Sequence, residues 1–212
     1  MNRLTEIDKY ILKHIEPEDE ILNELDRETH LKVLGARMIS GHLQGLVLSM
    51  LSKMFRPKYI LELGTFTGYS AICLAKGLKE GGKLITIEID DELESIAKKY
   101  FQKAGIQHQV EQRIGPALEI IPTLTETFDL VFIDAHKPEY PAYYTEIFDK
   151  VNSGGIIIAD NTLWSGKVLE TPADDDIATL GIIQFNEIIK NDNRVEKVIL
   201  PIRDGMTIIR KK

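Results

Sequence analysis

Cysteine is nearly absent from this 212-residue chain: Cys73 is the only one, and a lone cysteine excludes an intramolecular disulfide. No window holds the roughly 18 consecutive apolar residues of a membrane-spanning helix. The first residues, Met1-Asn2-Arg3-Leu4-Thr5-Glu6, have no apolar core of an export signal. Basic charge is also scarce where it would matter. With 26 basic and 33 acidic residues the formal charge is −7, and no stretch gathers Lys and Arg into a stripe interleaved with aromatics. Nucleic acid and membrane are therefore not expected partners, a small molecule is, and the cytoplasm is the expected compartment. Internal repeats, low-complexity tracts and linkers are missing too. A hydrophobic content of 43% over this length is enough for one full core.

Among the residues present, the segment Ile60-Leu61-Glu62-Leu63-Gly64-Thr65-Phe66-Thr67-Gly68-Tyr69-Ser70 says most. Apolar residues at 60, 61 and 63 suit a parallel strand covered on both faces, Gly64 permits a sharp turn, and Gly68 lets the next helix pack closely. A dinucleotide fingerprint needs G-x-G-x-x-G, and these two glycines bracket three residues. A second strand, Leu84 to Asp90, ends in carboxylates before a helical stretch. Glu88 follows Gly64 by 24 positions, near the offset of about 20 at which doubly wound folds place an acid for a ribose diol. Glu88 read alone also fits an acidic helix cap.

The pattern continues. Residues 109–113 read as a third strand, and Gly115-Pro116-Ala117 turns into the apolar run from Leu118 to Ile121. Phe128 to Asp134 and Ile156 to Asn161 are two more buried strands with oxygen ligands at their carboxyl ends. Ligands of open α/β sheets bind at that edge. Asp134, Asp160 and Asn161 thus converge on one volume, and two carboxylates with an amide oxygen suit Mg²⁺ better than zinc. Each alone is also an ordinary turn residue. Lys137, on the loop beside them, would lose its proton more easily when desolvated next to a cation and so serve as a base. His136 has two readings, a base or a residue that stacks on a ligand.

Three helices precede the first strand, over residues 4–15, 17–34 and 41–55, the second starting at Pro17-Glu18-Asp19-Glu20. Met38-Ile39-Ser40-Gly41 lies between two of them as a connection able to close over a ligand. At the other end, residues 197–201 and 206–209 flank Arg203-Asp204-Gly205, a hairpin signal. Trp164 reads either as a wall of the acceptor site or as a packing anchor, and Asp174-Asp175-Asp176 as a solvated helix start.

Taken together, Leu61 to Ser70, Ile85-Thr86-Ile87-Glu88, Phe132 to Lys137 and Ala159 to Trp164 resemble the cation-dependent, S-adenosylmethionine-using O-methyltransferases, the catechol and caffeoyl-CoA family in its bacterial form. The resemblance covers nearly the whole chain. It implies an α/β, Rossmann-like sheet of seven mostly parallel strands with an antiparallel last strand and helices on both faces. Residues 1–57 would form a helical cap and 58–212 the core of one domain. It further implies a cofactor site of Met38, Glu62, Gly64, Thr65, Gly68, Ser70, Glu88, Ile89, Gly115, Ala117 and Asp134. The metal ligands would be Asp134, Asp160 and Asn161, for Mg²⁺ or another divalent cation such as Mn²⁺ or Ca²⁺. Lys137 would be the catalytic base, and Met38, Ser40, His136, Lys137 and Trp164 would face a catechol-type acceptor. A homodimer is implied, through the N-terminal helices and the final hairpin. Pro116-Ala117-Leu118 departs from the polar adenine contacts of the animal catechol enzymes and leaves adenine to backbone groups and apolar packing. Two alternatives remain open on sequence: a nicotinamide-dependent oxidoreductase, and a catalytically idle binding protein of the same fold.

Overall fold

The computed structural model describes residues 5–212. Leu4, where the first expected helix begins, and the rest of the export-signal reading over Met1 to Leu4 lie outside the described residues.

Thr5 opens the chain's first helix, α1 (Glu6–His14), with a capping box: its hydroxyl accepts from the Asp8 amide, and the Asp8 carboxylate accepts from the Thr5 amide. The second helix, α2 (Glu20–Lys32), starts later than Pro17. Asp19 takes the N-cap, accepting from the Ile21 amide at 2.9 Å, so Pro17 and Glu18 stay in the connection. A single 3₁₀ turn over Ala36–Met38 then leads to α3 (Gly41–Phe55).

Five parallel strands follow, each reached through a crossover: β1 (Tyr59–Leu63), α4 (Tyr69–Ala75), β2 (Lys83–Glu88), α5 (Glu94–Lys103), β3 (Val110–Ile114), α6 (Ala117–Ile120), β4 (Phe128–Ile133), α7 (Tyr140–Phe148) and β5 (Val151–Asp160). After α8 (Ile177–Asn191), the hairpin of β6 (Val195–Leu200) and β7 (Met206–Lys211) completes a sheet of order β3-β2-β1-β4-β5-β7-β6. β7 runs antiparallel to both its neighbours. The seven strands, their mostly parallel sense and the antiparallel last strand match the sequence expectation. Several strand boundaries differ, and β5 begins at Val151, ahead of the expected Ile156. β3 is shifted one residue toward Ile114, where Gly115 hands its amide to the Glu88 carbonyl, and the final strands are longer than their apolar runs because edge pairing tolerates exposed Glu196 and Arg210.

Each face of the sheet carries a core. On one side Leu63, Ile87 and Ile133 pack under Tyr140, Tyr144 and Phe185 of α7 and α8. On the other, Ile60, Phe132 and Ile158 lie under Leu25, Leu48 and Ile72 of α2, α3 and α4. Helices α2 and α3 therefore share the core of the sheet, whereas α1 buries no residue.

The turn after β1 is a tight seam. Gly64 has φ +95°, and a Cβ built there would sit 2.1 Å from the Asp134 carbonyl oxygen. The close approach follows from strand pairing, since the Asp134 amide donates to the Leu63 carbonyl at 2.8 Å. Both the positive φ and the clash forbid a side chain, and no flexible group can yield. Gly64→Ala is expected to destabilise the fold by about 3 kcal/mol or more. Urea denaturation measures this, and a loss below about 1 kcal/mol would show that the seam can open.

Candidate active site

A cavity of about 1870 Å³ lies over the carboxyl ends of β1 to β5. Pockets for one drug-sized ligand span roughly 300–1,000 Å³, so this one accommodates two small molecules side by side. Its two halves differ in chemistry.

The first half is built by the turns after β1, β2 and β3. Gly64, Thr65 and Ser70 form its floor, with Glu88 and Ile89 on one side and Gly115, Pro116 and Ala117 on the other. Glu88 is locked before any ligand arrives. Oε2 accepts from the Phe66 amide at 2.7 Å, and Oε1 accepts from the amides of Ile89 at 2.9 Å and Asp90 at 3.1 Å. A carboxylate offers about four acceptor positions, which leaves one directed elsewhere. Phe66 holds a left-handed φ of 48°, a conformation costly for a residue with a Cβ, and its bond to Glu88 offsets that cost.

Two residues expected in this half do not reach the wall. Gly68 lies behind it, where a Cβ would come within 2.7 Å of the Phe101 ring, so its role is packing. Glu62 is wholly buried beneath the floor. Thr86 donates to its Oε2 at 2.6 Å, while Oε1 has no partner. Burial pushes the Glu62 carboxyl up to about 8. Leu118 likewise turns into the core.

The second half is acidic. Asp134 follows β4, Asp160 ends β5, and Asn161 follows at a left-handed φ of 59°. Lys137 Nζ donates to Asp134 Oδ1 at 2.7 Å and to the Tyr140 hydroxyl at 2.8 Å, with its side chain only 12% exposed. Tyr140 in turn shares its one hydroxyl proton between the carbonyls of Ile133 and Asp160, pinning the ends of β4 and β5 together. Burial and the nearby acids Asp134 and Asp160 raise the Tyr140 phenol well above its ordinary range, so it stays neutral. Asp160 is nearly buried. Its Oδ2 accepts from Gln44 Nε2 at 2.7 Å, and its Oδ1 has no donor at all. Burial, then the charge of Asp134, pushes the Asp160 carboxyl up to about 6.

A buried carboxylate oxygen without a partner is costly unless a cation or donor reaches it. Asp160 Oδ1, the Asp134 carboxylate and the Asn161 amide fit a hard divalent cation. Among the described residues no three His, Cys, Asp or Glu side chains gather around one point, so the candidate site rests on two carboxylates and an amide oxygen.

The mouth on this side is formed by Met38, Ser40, His136, Trp164 and Ile177. Met38 is largely exposed and Ser40 is buried. His136 is mostly exposed, with Nδ1 3.7 Å from Glu139. Trp164 lines the cavity and also packs against the core. Beyond it, Ser165 and Gly166 are left-handed, and Lys167 pairs with Asp176, the N-cap of α8. Every sequence-derived site residue except Glu62 and Gly68 therefore meets in one cavity. Sequence reasoning missed Phe66, Gln44, Tyr140 and Arg203. Only Arg203 had a usable signal, from its place beside the Asp204-Gly205 turn.

A sheet of this order, with a hydrogen-bonded acid beside the first glycine turn and carboxylates at the ends of β4 and β5, defines a methyltransferase fold. The chain belongs to the O-methyltransferase family, whose profile matches residues 13–212, and is a methyltransferase. It is 35% identical over 206 residues to a caffeoyl-CoA O-methyltransferase of Petroselinum crispum, across 92% of this chain and 85% of that protein. Among solved structures it resembles the O-methyltransferase TomG of Streptomyces achromogenes in complex with SAM, with a TM-score of 0.89, 32% identity, and 97% and 96% of the two chains covered. An O-methyltransferase of Bacillus cereus in complex with SAH gives a TM-score of 0.91 at 31% identity, covering 98% of each chain. Family membership removes the nicotinamide alternative.

Proposed function

We propose that this enzyme carries out the divalent-cation-dependent transfer of a methyl group from S-adenosylmethionine to one hydroxyl of a catechol-type acceptor. The observation that carries the reading is the meeting of Asp134, Asp160, Asn161 and Lys137 in the same cavity as the locked Glu88. SAM or SAH in the related structures supports the cofactor, and the caffeoyl-CoA relatives support an acceptor with vicinal hydroxyls.

Glu88 uses its remaining acceptor position for the cofactor's ribose, and the backbone around Gly115 and Ala117 receives the adenine. The cofactor supplies an already activated methyl on a sulfonium. Asp134, Asp160 and Asn161 would hold the cation, which supplies Lewis acidity toward the acceptor's hydroxyls. Lys137, in its neutral amine form, takes the proton of the attacking hydroxyl at Nζ, which Asp134 and Tyr140 keep in place. Met38, Ser40 and Trp164 confine the acceptor ring and fix the line of attack.

The reading includes a cytoplasmic homodimer. Its support is exposed apolar surface on α1, at Ile7 and Tyr10, and on β6, at Val198 and Ile199.

Methyl transfer from labelled S-adenosylmethionine to catechols and caffeoyl thioesters, followed by mass spectrometry, tests the reaction. Chelation should cut transfer by at least about 10²-fold, and Mg²⁺ or Mn²⁺ should restore it. Transfer that survives chelation would remove the cation from the mechanism.

A further inference from the structure

Behind the acidic half runs a set of hydrogen bonds that the mechanism above leaves unused. Gln44 of α3 is completely buried, and its Nε2 donates to Asp160 Oδ2 at 2.7 Å. Its Oε1 accepts from Arg203 Nη1 at 2.8 Å. The same guanidinium nitrogen donates to the Ile39 carbonyl at 3.1 Å and to the Ser40 carbonyl.

We propose that Gln44 and Arg203 are positioning residues that fix the Asp160 carboxylate for the cation and hold the 38–40 turn over the acceptor. The proposal rests on the cation-dependent reading above.

The chemistry leaves the amide one orientation. A guanidinium only donates, so the Gln44 oxygen must face Arg203 and its NH₂ must face Asp160. Oδ2 of Asp160 is thereby occupied, and Oδ1 is the oxygen left without a partner. Arg203 also places a positive charge behind the amide, one bond removed from a buried carboxylate whose burial disfavours its charged form. Ligand carboxylates are commonly oriented by such outer hydrogen bonds.

The backbone of Arg203 supports a functional reason for this side chain. It sits in the turn between β6 and β7 at φ +50°, where glycine would be unstrained. An arginine there adds nothing to the turn itself, whereas its head joins the turn to the 39–40 backbone and to Gln44. Ser40 lines the cavity together with Met38, so one side chain braces both the acceptor side and the cation side.

The test compares wild type with Gln44→Leu and Arg203→Gly. Mn²⁺ affinity is read by electron paramagnetic resonance without acceptor or cofactor, S-adenosylmethionine affinity by calorimetry, and acceptor KM by kinetics. Gln44→Leu should weaken Mn²⁺ binding about 10- to 100-fold and leave S-adenosylmethionine binding within about twofold. Arg203→Gly should weaken Mn²⁺ binding about 3- to 10-fold and raise the acceptor KM, while its melting temperature stays equal or rises as the positive φ is relieved. If Gln44→Leu does not fold, Arg203→Gly decides alone. Wild-type Mn²⁺ affinity in the folded variants would overturn the relay and leave the cation reading intact. Parallel loss of S-adenosylmethionine binding would overturn it too, as a general collapse of the site. Wild-type protein that binds no Mn²⁺ would overturn the cation reading and the relay with it.

Discussion

Replacing Lys137 by alanine lowers turnover about 10²- to 10⁴-fold and leaves the dissociation constant for S-adenosylmethionine within about twofold of wild type. The expectation follows from where Nζ is held. Its two partners are Asp134 and Tyr140, and the group stands in the acidic half of the cavity, across from the turns that would hold the cofactor. Lys137→Arg separates charge from proton transfer, because a guanidinium preserves an ion pair with Asp134 but cannot accept a proton at any working pH. Arginine should therefore be about as damaging to turnover as alanine. Steady-state kinetics with calorimetric cofactor titration measures both. Equal loss of turnover and cofactor affinity would refute the base assignment, and an active arginine variant would reduce Lys137 to a positive charge.

The second large effect is at Asp160. Asp160→Ala is expected to lower turnover about 10³-fold, since removing a cation's anchor forfeits several kcal/mol of charge stabilisation in the transition state. The response to added Mg²⁺ should disappear with it. The fold should not suffer in step. In the protein Asp160 carries a partnerless oxygen, and burial beside Asp134 raises its carboxyl above the unfolded value. A group whose pKa is raised by folding stabilises the native state most below its unfolded pKa and loses that contribution as pH rises through its folded pKa, near 6 here. Above that window, with chelator present, removing the carboxylate relieves a buried charge. Thermal unfolding at pH 8 should show the alanine variant within about 1 kcal/mol of wild type or above it. An unaltered Mg²⁺ response would count against Asp160 as a ligand.

How far the sequence leads depends on the range of the interaction. The turn after β1 was legible because its constraint is local: a buried strand, a glycine forced by close approach, and a helix immediately after. Asp134, Asp160 and Asn161 were legible because parallel strands bring their carboxyl ends to one edge, so equivalent positions of different strands meet without further information. The start of α2 was misplaced within a short acidic run, where Asp19 outcompeted Pro17 through a side-chain hydrogen bond that composition does not rank. Glu62 was placed on the cavity wall because its strand leads there, but side chains alternate along a strand, and this one points beneath the floor toward Thr86. Gln44 gave no signal. A glutamine on an apolar helix looks like any polar position until Asp160 and Arg203 are brought to it by the fold.

Those distant partners shape how the enzyme must assemble itself. Ile60 of β1 pairs with Leu130 of β4, seventy positions along the chain. The bonds that complete the acidic half reach further, from Gln44 to Asp160 and from Arg203 to Ser40, 116 and 163 positions apart. Each such closure carries an entropic cost before any contact rewards it, and helices and the β6–β7 hairpin form without it. The order of events after dilution from denaturant is thereby set by topology: local elements first, the central register next, and catalytic competence last of all.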